Sequence, residues 1–84
     1  MKMENLFDFL EKLTRELDRL DDEGASKAAE RIRLAARISS VGLEVIMAVR
    51  RELSDLVKSR VHLRAEIRRE VQDAINSISY ELTK

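Results

Sequence analysis

An all-α protein is what the sequence predicts, as a three-helix bundle or helical hairpin with a long central helix that oligomerises into a larger helical bundle. Three observations carry this. The 84 residues hold two glycines and no proline, too few turn residues for a many-stranded sheet. Apolar residues recur at alternating spacings of three and four through most of the chain, the period of one helix face. The stretch Leu34 to Val49, LAARISSVGLEVIMAV, carries only Arg37 and Glu44 as charges. A helix apolar on most of its faces has to be covered on most of its faces.

The first element is helix 1, residues 3–22. Met3, Leu6, Leu10, Leu13, Leu17 and Leu20 form the seam of a helix packing lengthwise on its neighbours, with Phe7 and Phe9 beside it. Asp8 with Lys12 and Glu11 with Arg15 stand acid before base at i,i+4, the order that supports an exposed helix face. A turn is expected at Asp21-Asp22-Glu23-Gly24, with Gly24 in the left-handed conformation and Ser26 capping the next helix.

Helix 2 is expected over residues 25–53. Ala28, Ile32, Ala35, Ser39, Gly42, Ile46, Val49 and Leu53 keep one register, and the small members of that line would let a neighbouring backbone come close. The other reading of Ser39-Ser40-Val41-Gly42 is a turn, since glycine inside a helix costs about 1 kcal/mol relative to alanine. Helix 3 follows over residues 55–83, with Val61, Leu63, Ile67, Val71, Ala74, Ile75, Ile78 and Leu82 on its apolar face. Ser54-Asp55 would start it, and Lys58-Ser59-Arg60 is the other candidate for the break. The whole chain, 1–84, reads as a single helical domain.

The middle helix of a three-helix bundle touches only two neighbours. Leu34, Ile38, Val41, Gly42, Leu43, Val45, Ile46 and Met47 would then form an oligomer interface, most simply that of a homodimer. A chain of this size buries only about 60–65% of its unfolded surface and has no cysteine to staple it, so association would also supply stability.

Charged residues make up 38% of the chain, against roughly 25% in an ordinary soluble domain, and Asn plus Gln number three, a composition also seen in heat-adapted proteins. The net charge of zero hides an uneven spread, with −4 over residues 1–24, +6 over 25–69 and −2 over 70–84. Arg60, Arg64 and Arg68 recur every four residues, with Arg50, Arg51, Lys58 and Arg69 nearby. Such a row needs a counter-charge. Carboxylates of acidic helix 1 or of a protein partner would answer it from within an assembly. A nucleic-acid phosphate backbone is the alternative, by salt-dependent and non-specific contact, since the aromatics Phe7, Phe9 and Tyr80 all lie outside the basic region.

Catalysis has little foothold. There is no cysteine, one histidine and no glycine-rich phosphate loop. His62, Glu66, Glu70 and Asp73 share a helical spacing, as do Asp18 and Asp22, but solvated faces account for both sets, with Glu66 and Asp73 pairing Arg69. Neither metal nor cofactor is expected. The one enzyme class these residues leave is an arginine clamp for a small dianion. Val49-Arg50-Arg51-Glu52-Leu53 through Arg60 resembles the arginine-bearing first helix of the small helical chorismate mutases, although residues 1–48 precede it here. The first residues interrupt any apolar run with Glu4, Asp8 and Glu11, so no signal peptide or membrane association is expected and the default compartment is the cytoplasm. The function expected first is that of a non-catalytic, oligomeric structural or adaptor module.

Overall fold

The computed structural model describes residues 5–37 and 42–83. They form four helices and no strand: α1 (Leu6–Arg19), α2 (Glu23–Arg37), α3 (Gly42–Lys58) and α4 (Ala65–Thr83). Each helix packs on the next. Side chains of α4 and of the residue just before it also meet α1, with Lys12 Nζ 3.6 Å from Glu70 Oε2 and Arg64 Nη2 3.4 Å from Glu16 Oε2. The result is an up-down-up-down bundle in which every helix runs antiparallel to both neighbours.

The expected three helices are therefore four. A helix over residues 25–53 would need about 44 Å at 1.5 Å per residue, and the long axis of the molecule is 36 Å. The apolar register runs unbroken from Ile32 through Gly42 to Val49, which disguises the break. Folding α3 back along α2 covers that apolar stretch within one chain: Ala35 and Val49 are both buried in the same core. The Ser39-Ser40-Val41-Gly42 alternative falls on residues 39–41, which lie outside the described ones, and on Gly42, the first residue of α3. Gly42 opens α3 and is exposed, with no atom near the position of a Cβ. Close packing, the reason offered for a small residue there, holds for Ala28 and Ala35 and not for Gly42.

The second break falls at Lys58-Ser59-Arg60, not at Ser54-Asp55, both of which lie inside α3. Ser59 makes the stop local: its hydroxyl donates to the Leu56 carbonyl at 2.7 Å and accepts the Val61 N–H at 3.3 Å. The connection then drops Val61 and Leu63 into the end of the core, where both are buried.

The first turn differs from expectation in its chemistry. Asp21, not Gly24, takes the positive φ, at 51°, a conformation that Asp and Asn tolerate better than most residues. Asp22 then caps α2, its Oδ2 accepting the Ala25 N–H at 2.9 Å. Gly24 lies inside α2, where a Cβ would approach that same Oδ2 to 3.1 Å. Glycine leaves the cap room. Replacing Asp22 by alanine should cost about 0.5–2 kcal/mol, read as a lower urea midpoint, whereas Ser26→Ala should leave the midpoint unchanged.

The core is continuous from Leu6 and Phe9 in α1 to Ile78 in α4. Leu10, Leu13 and Leu17 of the helix 1 seam are buried as expected, while Leu20 ends the helix exposed. α2 contributes chiefly Ala25, Ala28, Ala29 and Ala35 around Ile32, so it lies close against its neighbours. Thr14 is the buried polar side chain among the described residues, and its hydroxyl donates to the Glu11 carbonyl at 3.0 Å.

Candidate interaction surfaces

The arginine row does not survive as one face. Arg60 sits in the connection, Arg64 immediately precedes α4 and Arg68 lies one turn into it. Their counter-charges differ too. Arg64 meets Glu16 of α1 at 3.4 Å, the answer from acidic helix 1 that the charge distribution suggested. Arg68 Nη1 donates to the Val57 carbonyl at 3.4 Å across the α3–α4 boundary. Arg50, Arg51 and Lys58 are exposed on α3, with Arg60 beside their end and Arg69 exposed on α4.

The first two helices close their charges among themselves and onto their neighbours. Arg15 pairs with Glu11 at 2.6 Å, Arg19 with Glu16 at 3.4 Å and Lys27 with Glu23 at 3.1 Å, each within one helix. Arg33 reaches Asp18 at 2.6 Å and Arg31 reaches Glu52 at 3.2 Å. Lys12, expected to pair with Asp8, turns to Glu70 instead. Exposed pairs such as these contribute only about 0–1 kcal/mol each, so their consequence is electrostatic: they leave little uncompensated charge on α1 and α2. On α3 and α4 the pattern reverses. Among the described residues no ion pair engages Arg50, Arg51, Asp55, Lys58, Arg60, Glu66, Arg69 or Asp73. The expected Glu66–Arg69 and Arg69–Asp73 pairs within α4 are not made.

The large apolar side chains left exposed are also unevenly placed. Phe7, Leu34, Leu43, Met47 and Tyr80 are each 50–65% exposed. They belong to the first turn of α1, the last of α2, the first two of α3 and the last of α4. Antiparallel packing brings those four helix ends to one end of the bundle. Among the described residues Leu20, 42% exposed, is the one such side chain at the other.

Of the proposed interface, Leu34, Gly42, Leu43 and Met47 are exposed. Val45 is buried in the chain's own core and Ile46 packs partly against it. Ile38 and Val41 lie outside the described residues. Phe7 and Tyr80 were missed as surface candidates because each reads locally as a flank of its own helix; only the topology brings them to the end where Leu34 and Leu43 lie.

Two grooves accompany these surfaces. One of about 310 Å³ between α1 and α2 has Leu10, Thr14, Ile32 and Ala36 along it, with Phe7, Glu11, Arg33 and Arg37 around them. The other, about 340 Å³, lies at the opposite end between the start of α2 and Ser59, Arg60 and Val61. His62 falls in the connection and so leaves the helical face it was expected to share with Glu66, Glu70 and Asp73. Among the described residues no three of His, Asp and Glu gather closely enough to hold a metal ion, and no helix is long and apolar enough to cross a membrane.

No protein-family model, curated protein or solved structure matches the chain.

Proposed function

We propose that this chain is a non-catalytic helical-bundle module that works by association, a structural or adaptor protein that self-associates and presents its remaining charged faces to protein partners. The observation that carries this reading is the gathering of Phe7, Leu34, Leu43, Met47 and Tyr80 at one end of an otherwise well-covered bundle. A single exposed apolar group is ordinary on a protein surface, whereas several at one end of a bundle offer apolar area for a contact. The cations that suggested phosphate binding are dispersed over α3, the connection and α4, and this dispersal favours protein contact over a phosphate-tracking row.

Sedimentation equilibrium tests the reading. The chain should show a concentration-dependent dimer or larger species. Leu43→Ser with Met47→Ser should weaken association at least a hundredfold, because each position counts twice across a twofold contact, and about 0.7 kcal/mol at each of the four side chains, a fraction of what full burial contributes, already sums to that. Helical circular dichroism should be retained, since both side chains lie outside the core. A stable monomer at high micromolar concentration would sink the proposal.

A further inference from the structure

Among the described residues, ion pairs bridge three of the four boundaries between neighbouring helices. Arg33 meets Asp18 between α1 and α2 at 2.6 Å, Arg31 meets Glu52 between α2 and α3 at 3.2 Å, and Lys12 meets Glu70 between α1 and α4 at 3.6 Å. None bridges α3 and α4. There Arg68 Nη1 donates to the Val57 carbonyl at 3.4 Å instead, and these two residues mark the sides on which the helices meet.

Helical spacing places the others. On α3, Ser54 and Arg50 stand three and seven residues before Val57; on α4, Gln72, Ile75, Ser79 and Leu82 follow Arg68 at steps of four, three, four and three. The carboxylates are elsewhere. Glu44, Glu52 and Asp55 stand four before, four after and seven after Ala48, which lines the groove between α2 and α3. Glu66, Asp73 and Glu81 stand four before, three after and eleven after Glu70, which turns to α1. The α3–α4 face therefore carries cations and no carboxylate. Arg50 and Arg68 stand on it, while Lys58 and Arg69, one residue beyond Val57 and Arg68, are exposed at its two lips.

Between the cations the surface is apolar or uncharged. Ile46 and Val57 of α3 and Ile75 and Leu82 of α4 are only partly buried against the core, and the polar side chains among them are Ser54, Gln72 and Ser79. A centre depleted of charge with arginine beside it is the composition of a contact surface. From Ile46 to Val57 it runs about 16 Å, three turns of a helix.

We propose that the α3–α4 face seats an acidic amphipathic helix of a partner protein. Its apolar stripe lies on Val57 and Ile75, and its carboxylates on either flank meet Arg50 and Lys58 along one lip and Arg68 and Arg69 along the other. The charge of the face selects the sign of the partner, and the aliphatic floor selects a helix with one apolar stripe. A second copy fits this face less well, because a twofold contact would set the cations against one another. A phosphate backbone leaves the aliphatic floor uncovered. The inference rests on the reading of this chain as an association module and names the chemistry of one partner, leaving Leu43 and Met47 to the self-association contact.

The probe is a labelled three-heptad peptide with leucine at a and d and glutamate at e and g, a pattern that disfavours its pairing with itself. A twin carries lysine at e and g. Fluorescence anisotropy should show the glutamate peptide binding at least tenfold more tightly than its twin, and more weakly as salt rises. Arg50→Glu with Lys58→Glu, and separately Arg68→Glu with Arg69→Glu, should each weaken binding about tenfold with helical dichroism retained. The α3 variant stands on its own if loss of the Arg68 contact unsettles the second. Arg15→Glu with Arg19→Glu makes the same change of charge on α1 and should leave binding unchanged. No binding, equal binding of both peptides or an equal loss from the α1 variant would overturn the proposal. So would a short DNA duplex that binds more tightly than the glutamate peptide through the same arginines. Sedimentation reads self-association separately: a parent that dimerises without binding the peptide loses this face alone, and a monomeric parent that binds it loses self-association alone.

Discussion

Leu53→Ala should remove about 2–5 kcal/mol of stability, among the largest losses expected from deleting one side chain here. Leu53 is fully buried in α3, within the core cluster that also holds Val49 and Leu56. The cost has two parts, the transfer of the deleted carbons and the cavity left when neighbours relax only partly. A chain of 84 residues has a total stability of roughly 4–13 kcal/mol at ordinary values per residue, so one such change consumes a large share of it. Urea denaturation should show the midpoint falling with the slope unchanged. Leu34→Ala provides the contrast: that side chain is 55% exposed, and the change should stay within about 0.5 kcal/mol at concentrations where the chain is monomeric. Equal effects at the two positions would mean that α3 does not pack as described.

Ala29→Leu should destabilise by about 1–3 kcal/mol through overpacking, even though leucine is nearly as good a helix former as alanine. Ala29 is fully buried on α2, and Ala25, Ala28 and Ala35 are buried with it. The helix thus meets its neighbours through methyl groups, and a longer side chain must push α2 outward or leave its favoured rotamer. Glu30→Leu, one residue on and exposed, should leave stability nearly unchanged. If Ala29→Leu were neutral or stabilising, the close seating of α2 would be wrong.

Much of this fold was legible because helix periodicity reports burial directly. Leu6, Leu10, Leu13 and Leu17 follow the seam spacing and are buried; so are Ile67, Val71, Ala74 and Ile78 on the last helix. The turn after helix 1 was legible from its acidic cluster and glycine, although the cap went to Asp22, where a carboxylate two bonds from the backbone reaches the Ala25 N–H. The break between α2 and α3 was not legible as a necessity. Its register continues straight through Ser39 and Gly42, and periodicity cannot tell a helix that continues from one that folds back in phase. For the same reason Val45 read as an interface residue. It looked surplus to a long helix with two neighbours, and it is a core residue once α3 lies along α2.

The candidate surfaces divide the same way. That the Arg60 to Arg69 region is basic is a property of composition, and so is the need for counter-charge. Which cation is answered from within depends on which helices touch. Arg64 finds Glu16, forty-eight positions away, because α4 closes the bundle against α1, while Arg51, beside the α2–α3 groove, and Lys58 are exposed.

The sequence by itself determined the helical class, the faces that each helix buries and the charges each one carries, because these follow from residue type and a period of 3.6. Tertiary structure alone decided the number of helices, the pairing of charges between them and the collection of Phe7, Leu34, Leu43, Met47 and Tyr80 at one end. Those features depend on chain reversal and on the height at which antiparallel helices meet, quantities set by packing over the whole core.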